Sequence, residues 1–285
     1  MSEDRFQRVL TYIESHLDED LSIDALSSVA AFSKFHFHRR FTALFGVTVH
    51  RYVQMERMKR AAYRLAFRAD HAVLDIALDS GFEGPEAFAR AFKQITGQTP
   101  TEFRKAADWT PWQESYQANM DARRSLVKKS YSPSDVKIVD FPETRIATLE
   151  HRGDPAGIQA SVRKFIEWRK ANSLPPRLSA TFNILYDGPD AVPPEQFRLD
   201  IGAATGREIA PSETGIVAKT IPAGRCAVLR LTGDDIGTAA TYLYADWLPQ
   251  SGAELRDFPL FCQRVAFFPD VPANEAVTDL FLPLK

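Results

Sequence analysis

Two copies of one pattern within the first 106 residues constrain the fold of this chain most strongly. The first copy places Phe37 and Phe41 four residues apart and ends in Gly46, and each of these positions is matched 51 residues later. Apolar residues at this spacing form one stripe along an amphipathic helix, and glycine commonly follows its last turn. The matched positions are Phe37, Arg39, Phe41, Gly46, Thr48 and Tyr52 in one copy, and Phe88, Arg90, Phe92, Gly97, Thr99 and Phe103 in the other. The N-terminal part therefore contains one helical unit in duplicate.

Each copy predicts two short helices joined by a tight turn. In the first copy Ser22 and Ser33 are suited to begin the two helices, because a serine oxygen accepts a hydrogen bond from a free amide of the first turn. Two helices joined in this way form a helix-turn-helix. Between the copies, residues 49 to 67 predict a connecting helix about 28 Å long. That length permits two recognition helices to lie roughly one DNA turn, about 34 Å, apart.

The charge of the chain is divided unevenly. With 35 basic and 37 acidic residues the net charge is −2, which by itself argues against a protein that binds a polyanion. Residues 1–130 carry +2 and the remainder −4, and within residues 33–68 nine basic residues face a single acid, Glu56. Because affinity for DNA depends on basic residues that neutralise phosphates, the N-terminal part is predicted to bind DNA in a salt-dependent manner.

The most specific part of the N-terminal pattern lies in the second copy, in the residues Gly81, Phe82, Phe88, Phe92, Lys93, Gly97, Thr99, Pro100, Phe103 and Arg104. With these residues the N-terminal part resembles a known family, the AraC/XylS transcription regulators, in its double helix-turn-helix DNA-binding domain. The resemblance extends over about residues 5–106. It implies promoter DNA as a partner of the chain and RNA polymerase as a further one.

The residues off the phenylalanine stripe are the candidates for contact with DNA. In the first recognition helix Phe35, His38 and Arg39 are assigned to base edges, since arginine pairs with guanine in the major groove. Lys34 and Arg40 are better placed for phosphates. In the second helix we assign Glu86, Arg90 and Lys93 to DNA. Gly84 and Pro85 stand there where better-known family members carry polar side chains, so the second helix is expected to contribute fewer base contacts.

Some of these residues also have a simpler interpretation. The phenylalanine stripe is expected to be core rather than a platform for stacking bases. His36 and His38 are two positions apart and point to different sides of a helix, which argues against a metal pair. The basic residues of the connecting helix either form a solvated face or touch phosphate, and the sequence leaves this open; they are Arg51, Arg57, Arg60, Arg64 and Arg68.

The C-terminal part contains a second duplication, with an offset of 80 residues. Alternating β-branched runs and one amphipathic helix recur in each half, which predicts an α+β domain of two pseudo-symmetric β-α-β-β units. Two such units place their helices on one side of a sheet with a cleft near the axis, and clefts of this kind bind ligands. The matched positions are Pro142, Arg145, Ala147, Leu149 and Gly153 against Pro222, Arg225, Ala227, Leu229 and Gly233.

Several short motifs stand out in this part, namely Ile221-Pro222-Ala223-Gly224, Phe165 with Trp168, Arg198-Leu199-Asp200 and the closing Phe281-Leu282-Pro283-Leu284. With these motifs the C-terminal part is similar to the GyrI-like effector-binding domain. The resemblance implies a small-molecule effector. Members of the family commonly carry a glutamate in the late strand and a tyrosine two residues later, and the carboxylate meets cationic ligands. Here Cys262 and Arg264 occupy those two positions, so we hypothesise an anionic or neutral ligand.

Seven residues are assigned to the ligand-binding cleft. About half of the aromatic ones are expected to be ordinary core, and Cys262, like Cys226, is expected to be a buried thiol. The assigned residues are Trp168, Phe182, Tyr186, Tyr244, Trp247, Cys262 and Arg264.

The sequence thus predicts a multi-domain chain: an all-α double helix-turn-helix domain at 1–108, a linker at 109–134 and a GyrI-like domain at 135–285. We interpret it as a sequence-specific transcription regulator with a small-molecule effector. No catalytic triad or metal-ligand spacing is visible, so no enzyme, metal or cofactor is expected. Two alternatives remain, a C-terminal hydrolase of reactive small molecules and a protein-docking module without ligand. The N-terminus lacks a signal-peptide pattern, two cysteines form no disulfide framework and no apolar run reaches ~18 residues, so a cytoplasmic protein off the membrane is expected.

Overall fold

The computed structural model describes the chain except for Met1 and residues 127–129, 189–190, 210–214 and 234. The chain divides into two compact units. The helical unit comprises Met1–Lys129 with Phe268–Asn274, and the sheet unit comprises Ser130–Phe267 with Glu275–Lys285. No helix in the described part of the chain combines the length and the apolar composition needed to cross a membrane.

The helical unit is built from short helices arranged in two similar groups. Its helices are α1 (Ser2–Ser15), α2 (Ile23–Val29), α3 (Lys34–Phe45), α4 (Val49–Phe67), α5 (Val73–Asp79), α6 (Pro85–Thr96), α7 (Pro100–Lys105) and α8 (Thr110–Leu126). Helices α2 and α3 form the first helix-turn-helix, α5 and α6 form the second, and α4 connects them. This arrangement confirms the predicted duplication.

The predicted helix caps are present. Ser22 and Ser33 accept hydrogen bonds from the amides of the third residue of α2 and α3, and Gly46 ends α3 with a φ of 69°. Thr99 begins α7 with a reciprocal capping box to Glu102. Since these side chains satisfy amides that the helix itself leaves free, they fix where each helix begins.

The phenylalanine stripes of α3 and α6 face inward, as predicted. Phe37 and Phe41 are fully buried against Phe6 of α1, with ring centroids 5.9 and 6.1 Å from it. In the second copy Phe88 and Phe92 are fully buried in the same way. Because one side of each helix is buried by these rings, the opposite side is left exposed to solvent.

The segment expected to be a linker begins with a helix that packs on the helical unit, so the linker prediction is wrong for α8. Trp112, Tyr116, Asn119 and Ala122 are buried, and their spacing places them on one side of α8. This side contacts α1, α3, α4 and α6. Tyr116 and Asn119 donate hydrogen bonds of 2.6 and 2.8 Å to the buried carboxylate of Glu56. Residues 127–129 of the expected linker lie outside the described residues.

Replacing Asn119 with alanine is expected to destabilise the helical unit by about 1–3 kcal/mol, because it leaves the buried Glu56 carboxylate with one donor fewer. Asn119 also donates to the carbonyl oxygen of Tyr52 at 3.1 Å. Urea unfolding of the full chain measures the change. The matched control is Gln113→Ala on the exposed side of α8. An equal effect of both substitutions would show that the buried hydrogen bonds contribute nothing.

The sheet unit contains one eight-stranded antiparallel sheet in the order β1-β6-β8-β7-β3-β4-β2-β5. Its strands are β1 (Val136–Phe141), β2 (Thr144–Arg152), β3 (Thr181–Leu185), β4 (Arg198–Ala204), β5 (Ile216–Ile221), β6 (Gly224–Thr232), β7 (Leu260–Ala266) and β8 (Val277–Pro283). The helix α9 (Ile158–Ala171) follows β2, and α10 (Ile236–Thr241), a π-helical turn (Tyr242–Trp247) and α11 (Leu248–Ser251) follow β6.

The two predicted β-α-β-β units are β2-α9-β3-β4 and β6-α10/α11-β7-β8. Each is preceded by a strand that pairs with the other unit, β1 with β6 and β5 with β2. Helix α9 packs on β2 and β4, whereas α10 packs on β6 and β8. Because both helices lie on the same face, this helical face has two separate apolar clusters, one beneath each helix. The opposite face has its own cluster, centred on Phe141, Phe261 and Phe281.

Candidate functional site

The exposed side of α3 carries all five residues assigned to DNA in the first copy. Phe35 is 84% exposed, which is unusual for so large an apolar side chain and leaves it available to a partner. Arg39 is exposed and has no hydrogen-bond or ion-pair partner among the described residues. Lys34 forms an ion pair with Asp24, and the guanidinium of Arg40 lies 4.8 Å from the ring centroid of Phe32. His38 is exposed beside them.

The exposed side of α6 carries the three residues assigned in the second copy. Glu86, Arg90 and Lys93 are exposed, and Arg90 has no partner within the described part of the chain. Pro85 stands at the first turn of α6, where its missing amide costs no helical hydrogen bond. The two arginines at matched positions, Arg39 and Arg90, are therefore both presented to solvent.

The connecting helix α4 uses much of its positive charge within the protein. Arg57 donates to the carbonyl oxygens of Leu17 and Glu19 at 2.9 and 2.7 Å. Arg60 forms a bidentate ion pair with Asp18. Arg64 pairs with Asp79 of α5. These three residues brace the helical unit internally, so the nine basic residues of 33–68 overstate the charge that is free to meet phosphate.

A polar strip crosses the middle of the sheet on its helical face. The central strands β3 and β7 lie between the area covered by α9 and the area covered by α10. Register places Asn183 opposite Cys262, and Thr181 opposite Arg264. Cys262 is fully buried, while Arg264 is half-buried. We call this strip between the two helices the central groove.

The structure does not bring all seven assigned ligand residues together. Arg264 lies on the floor of the central groove, and Cys262 lies at its edge, buried in the apolar cluster beneath α10. Trp168 and Tyr244 lie on the helices, Tyr244 being 42% exposed. Trp247 is buried in the cluster beneath α10. Phe182 and Tyr186 are on the opposite face of the sheet, because they alternate with Thr181 and Asn183 along the chain. The assignment of Phe182 and Tyr186 to the same cleft as Cys262 is therefore wrong.

Comparison with known proteins agrees with both halves of this architecture. Residues 134–285 match the GyrI-like small molecule binding domain, and residues 26–106 match a helix-turn-helix domain. The chain belongs to the GyrI-like family. The GyrI-like part is 36% identical over 153 residues to the probable transcriptional regulator YgiV of Escherichia coli K12, covering 53% of this chain and 96% of that protein.

The helix-turn-helix part of this GyrI-like protein has relatives of its own. It is 35% identical over 102 residues to the transcriptional regulator Rob of Salmonella typhimurium, covering 36% of this chain and 35% of Rob. Among solved structures, the C-terminal domain of EcmrR is 18% identical with a TM-score of 0.43, covering 53% of this chain and 96% of that one. The chain is thus a DNA-binding transcription regulator with an AraC-type helix-turn-helix domain and a GyrI-like domain.

The opposite face of the GyrI-like sheet carries a charged network. Asp200, fully buried, accepts hydrogen bonds from Tyr186 at 2.9 Å and Lys219 at 2.6 Å. The guanidinium of Arg198 lies 3.8 Å from the ring centroid of Tyr186 and donates to Glu150 at 2.9 Å. These contacts tie β2, β4 and β5 to the residue that follows β3, and they give Tyr186 a structural role on this face.

Glu150 gives this network a pH dependence. Burial alone would raise its pKa, but the hydrogen bond from Arg152 and the charges of Arg198 and Lys219 outweigh burial and lower the pKa to about 2. A carboxyl whose pKa falls on folding stabilises the folded state above its unfolded pKa, and this stabilisation is lost as the pH falls through the folded value.

We therefore expect the stability difference between the native chain and Glu150→Gln to be constant above about pH 5 and to shrink as the pH falls from about 4.5 towards about 2. Urea unfolding at several pH values measures it. Glu143→Gln, at an exposed carboxyl in the preceding turn, is the control. A difference that stays constant down to about pH 2 would contradict the pKa of Glu150.

Sequence reasoning missed three residues that line or support the central groove. Arg169 of α9 is 5% exposed and donates to the hydroxyl of Thr181 at 2.6 Å, and Thr278 of β8 lies opposite Arg264. Arg169 follows Trp168 directly in the chain and lies in the last turn of α9, and an arginine at such a position gives no signal of burial in the sequence. The two threonines give no signal until the strand register is known.

Proposed function

We propose that this regulator reads a specific DNA sequence with α3 and α6. The observation that carries the proposal is a pair of exposed arginines, Arg39 and Arg90, at matched positions of two helices with the same buried side; neither has a partner among the residues that the structure describes. Arginine recognises guanine through two hydrogen bonds in the major groove. Phe35 and His38 add base contacts in the first copy, Lys34 and Arg40 add phosphate contacts, and Glu86 and Lys93 flank Arg90 in the second copy.

We further propose that the GyrI-like domain binds a small-molecule effector in the central groove, and that RNA polymerase is the partner through which the regulator acts. The groove supports the effector proposal because polar groups line a floor between two apolar clusters, as in many ligand sites. We propose no catalytic role for the chain. The effector then changes the affinity of the regulator for DNA, through a coupling free energy that binding experiments with and without effector measure.

The test of DNA reading is a binding assay of the full chain against DNA fragments from its own promoter region. The full chain is required because α8 packs on the helical unit, and a truncated chain that ends near residue 106 lacks this helix. We expect one DNA fragment to be bound far more tightly than unrelated DNA, with an affinity that falls steeply as salt is raised. Equal affinity for all fragments, or no binding at low salt, would refute sequence-specific recognition.

A further inference from the structure

The floor of the central groove carries a positive charge that the described part of the chain does not neutralise. Arg264 lies on β7 directly between Thr181 of β3 and Thr278 of β8, and all three side chains are on the helical face. Residues directly opposite on antiparallel strands have Cβ atoms about 4.5–5.5 Å apart. Arg264 has no carboxylate partner among the described residues.

A second arginine reaches the same point of the floor from α9. Arg169 donates to the carbonyl oxygens of Leu174 and Ser179 at 2.7 and 2.6 Å, and to the hydroxyl of Thr181 at 2.6 Å. It meets no carboxylate in the described ranges, and burial lowers its pKa to about 10. A charge withdrawn from water is costly unless an opposite charge or a full set of hydrogen bonds compensates it. Carbonyl and hydroxyl oxygens solvate Arg169 but do not cancel its charge.

The remaining polar groups of the floor are neutral, and one of them has no partner among the described residues. This group is the hydroxyl of Thr278, which is buried, at 1% exposure of the residue, and makes no hydrogen bond to any described group. Such a group usually has a water or a ligand as its partner. Next to Arg264, burial raises the pKa of the Cys262 thiol, with the charge of Arg264 opposing, so the thiol is neutral. The residue that faces Cys262 on β3 is Asn183, whose Oδ1 lies 4.0 Å from the Cys262 Sγ.

We propose that the central groove binds a small organic anion, whose carboxylate or phosphate group lies between Arg264, Arg169 and the hydroxyls of Thr181 and Thr278. This inference rests on the proposed function of the GyrI-like domain as an effector-binding module. The anion supplies the negative charge that the floor lacks and an acceptor for the Thr278 hydroxyl. The apolar clusters beneath α9 and α10 on either side favour an anion with an apolar body.

The experiment compares probes that share one aromatic body and carry an anionic, a neutral or a cationic group. The full chain is titrated calorimetrically with 2-naphthoate, 2-naphthyl phosphate, 2-naphthamide and 2-naphthylmethylammonium, and with the corresponding benzene series. We expect the carboxylate or the phosphate to bind at least about tenfold more tightly than the amide and the ammonium, which corresponds to about 1.4 kcal/mol. The tighter of the two anions identifies which acidic group the floor prefers.

Three variants test whether the preference for anions arises from Arg264 on the floor of the groove. Arg264→Gln is expected to lose about tenfold in anion affinity with the amide unchanged, and Arg264→Lys, which keeps the charge, to retain most of the affinity. Arg225→Gln is the control, at an exposed arginine near the start of β6, six residues from the partner of Thr278. Thermal unfolding of each variant checks that it folds.

The outcomes separate this inference from the proposed function. Preference for the ammonium probe, or equal affinity for all four probes, overturns the anion site and leaves effector binding in place. Anion binding that Arg264→Gln does not weaken also overturns it, because the anion would then bind elsewhere. If none of the probes binds in either series, the anion site is refuted together with the expectation that this groove accepts small aromatic ligands.

Discussion

Replacing Phe41 with alanine will destabilise the helical unit by about 3–5 kcal/mol, the usual cost of removing a fully buried phenylalanine. The Phe41 ring is fully buried and lies within 4.6–6.1 Å, centroid to centroid, of the rings of four other residues. Those rings are Phe6, Phe37, Phe45 and Tyr52. The cavity therefore opens at the meeting point of α1, α3 and α4, and DNA binding through α3 is lost with it.

Urea unfolding of the full chain measures this effect, because two units with separate cores are expected to unfold in separate transitions. In Phe41→Ala the unfolding transition of the helical unit should shift to a lower urea concentration, while the transition of the sheet unit stays at the same concentration. Leu44→Ala is the control on the same helix, since Leu44 is 48% exposed. A loss of less than about 1 kcal/mol in Phe41→Ala would mean that the stripe is not core.

Replacing Arg39 with alanine will weaken specific DNA binding by about 1–3 kcal/mol, because one bidentate arginine–guanine contact discriminates against other bases by about this free energy. Arg39 is exposed and unpartnered in the described part of the chain, so its removal leaves the fold unchanged. Affinity for unrelated DNA should fall much less, because non-specific binding depends on phosphate contacts. Fluorescence anisotropy with specific and unrelated fragments measures both.

Arg39→Lys distinguishes base reading from charge alone. Lysine keeps the positive charge but lacks the planar fork of the guanidinium, so this variant should lose specific affinity and keep non-specific affinity. Arg225→Ala, in the sheet unit, controls for the loss of a surface charge. If Arg39→Ala weakens specific and unrelated DNA equally, Arg39 contacts phosphate and the base assignment is wrong.

The local structure of the helical unit could be predicted because its signals are close in sequence. Ser33 and Gly46 mark both ends of α3, and the structure begins and ends the helix beside them. A short helix was expected in the segment of α8, but its packing on the helical unit was not predicted. The buried side of α8 includes Asn119, a polar residue whose burial depends on its hydrogen bond to Glu56 of α4. A contact 63 residues away gives no local signal.

The ligand site was harder to predict because strand pairing decides it. Alternation along β3 shows that Phe182 and Asn183 face opposite ways, but only the register with β7 shows which of them shares a face with Cys262. The count of basic residues in 33–68 left the role of the arginines of α4 open for a similar reason. Arg57, Arg60 and Arg64 contribute to it, yet their partners in the chain segments before α2 and in α5 become visible only after folding.

Hydroxyl-radical footprinting of the full chain on its own promoter tests most directly the claim that both helices read DNA. We predict two protected patches on one face of the duplex, about 10–10.5 base pairs apart from centre to centre. Arg39→Ala should weaken protection in one patch and Arg90→Ala in the other. A single patch, or loss of the same patch in both variants, would contradict DNA reading by both helices.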